Sequence, residues 1–167
     1  MNVMEAIGTR RSIRKYKPDP VEPEKLERIL QAMRLSPSAR NNQQWKFFIV
    51  TDPAVKATIA RGVEYSPGLI EGAPALLAAA GTGDRIMNSG HLCSSVDLTI
   101  AMTAGILEAT ELGLGSCFVA SHDEAVVRQA LGLSPEWRIP LISPLGYADE
   151  APAPRPRKDF AEVTEIR

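Results

Sequence analysis

His91–Leu112, HLCSSVDLTIAMTAGILEATEL, covers nearly all of the longest apolar region of the chain, Leu92–Leu114, and its reading as a helix settles how the rest is arranged around it. Val96, Leu98, Ile100, Met102, Ile106, Leu107 and Leu112 fall around most of a helical circumference, so a helix here must be covered on several sides. Asp97, Thr99, Thr103, Glu108, Thr110 and Glu111 interrupt it too often for a lipid-exposed span. The stretch therefore predicts a helix at the centre of a protein core. Gly113 and Gly115 end it, and Ser116–Ala120 follows as a strand candidate.

Working outward, Pro23 opens a second helix in which Leu26, Ile29, Leu30 and Met33 recur at the spacing of one buried face. Asn2 with Glu5 predicts a capping box for a short first helix that Gly8 ends, and Asp52 with Pro53 opens another that stops at Gly62. Ser121 with Glu124 predicts a capped helix through Val126, Val127, Ala130 and Leu131, closed by Gly132. Strands are expected at Lys46–Val50, Ala75–Ala80 and Trp137–Leu145, the last at an edge or a bend because Pro140 and Pro144 remove donors. Residues 66–74 read as a loop. The APAPRP run from Ala151 to Pro156 predicts an extended polyproline-like arm. The element order is mixed α and β, with neither repeats nor a second domain.

At 167 residues and a net charge of −1, the chain has the size of one domain and the composition of a water-soluble globular protein. Its pI near 6.1 argues against a general nucleic-acid binder. Cys93, Cys117, His91 and His122 show no metal-ligand spacing and read as helix-end or core residues. The N-terminus lacks the apolar region of a signal peptide, which points to the cytoplasm.

Against this neutral background, Thr9–Lys17, TRRSIRKYK, places five cationic side chains in nine residues: Arg10, Arg11, Arg14, Lys15 and Lys17. A second group, Arg155, Arg157 and Lys158, lies near the end. Guanidinium forks with a hydroxyl, Ser12, between them suit a phosphate. The polar loop Ser36–Trp45 adds amides that can serve both donor and acceptor edges of a planar heterocycle; ordinary turn chemistry accounts for the same residue types. Trp45 reads as core.

Four motifs in this order, TRRSIRKY, SPSARNNQQWKFFIV, ELGLGSCFV and PLGYADEAPAPRPRKDF, resemble the nitroreductase family of flavoprotein oxidoreductases, and the resemblance covers most of the chain. It implies an α+β, three-layer α/β/α fold with a mainly antiparallel central sheet over residues 1–167, a C-terminal arm from about 151, and an intertwined homodimer with FMN between the subunits. By similarity Arg10, Arg11, Ser12 and Arg14 match the N-terminal flavin-binding motif, and Arg155 and Arg157 a basic pair near the phosphate. Pro37, Ser38, Arg40, Asn41 and Gln43 match positions that reach the partner subunit's flavin, and Ala120 and Ser121 a backbone contact near flavin N5. Gln44 departs from the pattern, standing where many members have proline, and Ser66–Ile70 shows no match to the Asn and Lys that some members use. The implied activity is ping-pong: NADH or NADPH reduces FMN, and a nitroaromatic, quinone or activated alkene is reduced in turn, with no catalytic triad, metal, nucleic acid or membrane. A specialised flavin dehydrogenase, a flavin-consuming enzyme and a non-catalytic FMN- or nucleotide-binding protein are the alternatives.

Overall fold

A computed structural model describes every residue except Tyr65 and Asp84. Its centre is an antiparallel sheet of β1 (Trp45–Val50), β2 (Ala75–Gly81), β3 (Gly115–Ser116) and β4 (Ile142–Gly146), in the order β1-β2-β4-β3. β2 is buried along its whole length, and its alternation divides the core. Ala75, Leu77 and Ala79 face α2 (Pro23–Arg34) and α5 (Cys93–Glu111), packing with Ile29, Met33, Leu98 and Met102. Leu76, Ala78 and Ala80 face the other way, toward Ile59 of α3 (Pro53–Ala60), Ile70 of α4 (Pro67–Glu71) and Val127 of α6 (Glu124–Ala130). Period-two side chains buried on both faces make three layers.

The spine helix lies where the sequence puts it and crosses α2 at Gly105, where an added Cβ would sit 2.6 Å from Met33 Cγ. Its cover is incomplete. Val96 and Ile100 remain 38% and 42% exposed, and beside the far end of the helix α1 (Val3–Thr9) leaves Val3, Met4 and Ile7 exposed too.

Several expectations need correction. The Asn2–Glu5 capping box forms, but α1 runs through Gly8 to Thr9. The strand expected at Ser116–Ala120 shrinks to Gly115–Ser116, with a single bridge at Val119 to Ile142. Asp123, not Ser121, caps α6 by accepting from the amides of Ala125 and Val126, while Glu124 turns away to accept from Ile139 N–H. The Pro- and Gly-bearing stretch expected as loop contains α4, with proline at its first turn.

β4 begins only at Ile142 and is interior, between β2 and β3. The geometry explains why Pro144 is tolerated there. Ile142 exchanges both backbone bonds with Val119, so Pro144, two residues on, points to the same side. On that side the amide of Cys117 donates instead to the Ser143 hydroxyl at 3.2 Å, and no ladder bond needs the missing donor. Residues 151–159 carry no regular structure, and a four-residue helix, α7 (Phe160–Val163), follows on a capping box of Asp159 and Glu162. Among the described residues no helix is long and apolar enough to cross a membrane.

Candidate functional site

Residues 10–17 leave α1 and lace along the sheet edge. Ile13 donates its N–H to Ser116 O at 2.9 Å and buries its side chain over Gly115, where a Cβ would meet it at 2.8 Å. Tyr16 donates to Ile13 O, Lys17 N–H donates to Tyr147 O, and Asp149 N–H donates to Lys15 O. Burial pushes the Tyr16 phenol pKa well above its usual range, so this half-buried anchor stays neutral. With Ile13 turned in, the residues on either side are turned out, and the cationic side chains gather at the surface.

They gather at a cleft of about 750 Å³. Arg10, Arg11, Ser12 and Arg14 form one wall and Pro152–Arg155 with Arg157 another; Thr103, Ile106, Leu107 and Phe118 supply an apolar floor beside Ile7. Two cationic groups about 140 residues apart in sequence therefore meet. Arg11 bonds the carbonyls of Gly8 and Arg10, Arg14 that of Ser12, and Arg157 those of Arg155 and Pro156. Among the described residues none of Arg10, Arg11, Arg14, Arg155 and Arg157 pairs with a carboxylate. Glu150 comes near but accepts from the backbone amides of Arg14 and Lys15. Five guanidinium groups without counter-charge repel one another until an anion joins them. A phosphate with a long, mostly planar apolar body suits both the wall and the floor, so the residues present fit FMN.

The loop residues lie elsewhere. Pro37, Ser38, Arg40, Asn41 and Gln43 sit beside the N-terminal end of α5, about 9 Å along the helix from Thr103 at 1.5 Å per residue, where Ala39 N–H donates to both oxygens of Asp97 at 3.1 and 3.2 Å. Arg40, Asn41 and Gln43 have φ of 55°, 56° and 50°. Such left-handed, non-glycine residues cost roughly 1–3 kcal/mol each and persist where the surroundings fix them. Ala120 and Ser121 are exposed just beyond Phe118 and do not line the cleft. In this chain, then, one cleft collects Arg10, Arg11, Ser12, Arg14, Arg155 and Arg157, and the remaining candidates do not reach it.

Trp45 packs on Phe47 with ring centroids 5.3 Å apart, as core. Phe118 and the Thr103–Leu107 floor escaped the sequence reading, since Phe118 lay in an apparent strand and the others on an apparently buried helix. Asp97 escaped it as well, because one acid in a helix carries no pattern.

The Nitroreductase family model matches residues 7–67 and 61–147. The chain belongs to the nitroreductase family. It is 32% identical over 159 residues, 93% of this chain and 82% of the other, to a Methanothermobacter thermautotrophicus protein provisionally named NADH dehydrogenase/NAD(P)H nitroreductase. It is also similar to an NADH dehydrogenase of Thermus thermophilus, 30% identical with 92% and 90% covered. A 5,6-dimethylbenzimidazole synthase of Rhodospirillum rubrum is 28% identical, with 87% and 82% covered. Among solved structures, an FMN-dependent nitroreductase of Clostridium difficile R20291 superposes with a TM-score of 0.80 at 27% identity, covering 98% of both chains. The three-layer antiparallel fold is thus the nitroreductase fold.

Proposed function

We propose that this nitroreductase-family chain is an FMN-dependent oxidoreductase that uses NADH or NADPH to reduce small electron acceptors: nitroaromatics, quinones or activated alkenes. The observation that carries the reading is the convergence on one cleft with an apolar floor of five guanidinium groups that pair with no carboxylate among the described residues. Arg10, Arg11, Ser12, Arg14, Arg155 and Arg157 would hold the phosphate end, and Phe118 with Ile106 would exclude water from the ring. FMN held there would supply the redox chemistry between nicotinamide and acceptor. The protein's own work is binding, orientation and electrostatics.

The cleft of one chain lacks the amide-bearing loop, and the exposed stripe of α5 lies beside that cleft. A homodimer accounts for both: the loop residues Pro37, Ser38, Arg40, Asn41 and Gln43 of one protomer would complete the site of its partner, with Ala120 and Ser121 at the ring edge. Likeness to a 5,6-dimethylbenzimidazole synthase favours a second reading, a specialised enzyme that consumes its flavin.

Purification as a yellow protein, followed by anaerobic bleaching with NADH or NADPH and return of colour on adding menadione or nitrofurazone, is the expected result. A colourless protein that gains no flavin on incubation with FMN refutes the reading. Irreversible loss of the flavin after reduction, in air, selects the second.

A further inference from the structure

We propose that Asp97 is a positioning residue for the cofactor loop: its carboxylate anchors Ala39 and so fixes where the left-handed residues Arg40, Asn41 and Gln43 sit against the fold. The inference rests on the reading above, in which this loop touches the flavin of a second copy.

Three left-handed, non-glycine residues within four positions form a loop that needs outside support. Most of its bonds are internal. Asn41 N–H donates to Ser38 O at 2.9 Å, Asn42 N–H to Ala39 O at 3.1 Å and Gln43 N–H to Ser38 Oγ at 3.1 Å, which fixes the loop's shape but not its place. The far end is held where Thr82 N–H donates to Gln44 O and β1 begins. At the near end the tie to the rest of the fold is Asp97, 58 residues away, taking the Ala39 amide between both oxygens. Asp97 is half-buried in the second turn of α5 and pairs with no cation among the described residues. The Cys93 thiol approaches its Oδ2 at 3.9 Å. A carboxylate with no ion partner and a backbone amide across the fold is placed to fix a loop. The loop is then held in register by one side chain on α5, the longest helix among the described residues.

The test uses full-length protein with Asp97→Ala and Asp97→Asn, the asparagine keeping one acceptor for the Ala39 amide. Two quantities are measured: hydrogen exchange of the peptide spanning 38–44 in flavin-free protein, and FMN affinity by fluorescence titration with the visible circular dichroism of the bound flavin. In Asp97→Ala, exchange over 38–44 and the FMN dissociation constant each rise about tenfold, from loss of a charge-assisted bond, with an altered flavin dichroism. Asp97→Asn stays within about threefold of wild type in both, on the same scale. Unchanged exchange in Asp97→Ala overturns the anchor, and faster exchange with unchanged FMN affinity overturns its role toward the cofactor. An asparagine variant as weak as alanine also overturns it, since the acceptor is then not what matters. Should Asp97→Ala fail to fold, Asp97→Ser, whose short hydroxyl falls back from the amide, replaces it with the same expected outcomes. Wild-type protein that takes up no FMN defeats the functional reading instead, and the exchange measurement still decides the anchor.

Discussion

At the scale of single residues, the cleft is a problem in charge. Arg10 and Arg157 come from opposite ends of the chain, and neither has a carboxylate partner among the described residues. Each is expected to contribute a charge-assisted contact of about 1.5–3 kcal/mol to a bound phosphate. Arg10→Ala and Arg157→Ala should therefore each weaken FMN binding roughly ten- to a hundred-fold in a titration, with little change in thermal midpoint; full flavin occupancy in both contradicts the clamp. Placing these side chains depends on a residue with no side chain. A methyl group on Gly115 would lie 2.8 Å from Ile13 Cβ and Cγ1, so Gly115→Ala must push the basic segment off the sheet edge. A loss of about 1–3 kcal/mol is expected from overpacking, read as a lower denaturation midpoint together with weaker FMN binding. Equal stability and equal affinity show that the edge can shift without disturbing the arginines.

Elements were legible in the sequence where one physical signal dominated. α2 has a sustained 3.6-residue period, α5 is apolar around most of its circumference and β2 is an uninterrupted apolar run, and all three appear where expected. Legibility failed where two signals competed. Pro144 argued for an edge, yet β4 is interior, because the neighbouring strand ends before its missing donor is needed. Ser121 and Glu124 had the spacing of a capping box, but Asp123 is nearer the first free amides and took the role. The cationic clusters were legible as charge, whereas their meeting place depends on the arm's path, which no local pattern encodes. α3 shows another long-range term. Lys56 is buried, only 6% exposed, and its ammonium donates to Ala73 O just past the end of α4. Burial lowers its pKa from the ordinary 10.5. The folded state thus holds the proton less tightly than the unfolded chain, so the charge costs stability at neutral pH, and that cost fades as pH rises through the lowered value toward 10.5. Lys56→Met should gain most, relative to wild type, near pH 7, the gain shrinking with rising pH in denaturant titrations. A difference that is flat or grows with pH refutes the argument.

For the whole molecule, the question is what covers the surfaces that one chain leaves bare. Val96 and Ile100 on α5, Val3, Met4 and Ile7 on α1, and Phe118 at the cleft all show apolar surface. So does the tail, where Phe160, Val163 and Ile166 are 79%, 61% and 98% exposed. The stretch from Ala151 to Asp159 has no regular structure and three prolines, which makes it a stiff spacer that carries the tail away from its own core. α7 has only four residues, too few to be stable without packing, and its capping box fixes its start without giving it a surface to cover. Uncovered apolar faces on the body and the exposed apolar tail would cover one another across two copies. We therefore expect a homodimer in which residues 159–167 of each protomer pack on its partner. Deleting 159–167 leaves Arg155 and Arg157 in place, so it separates the tail's part in assembly from the arm's part in the phosphate site. Light scattering should show dissociation or a concentration-dependent mass, with a lower thermal midpoint and reduced flavin content, since each site would draw its loop from the other protomer. A truncated protein that stays dimeric, retains its flavin and melts at the same temperature shows that the body faces hold the subunits together and that the tail is a frayed end.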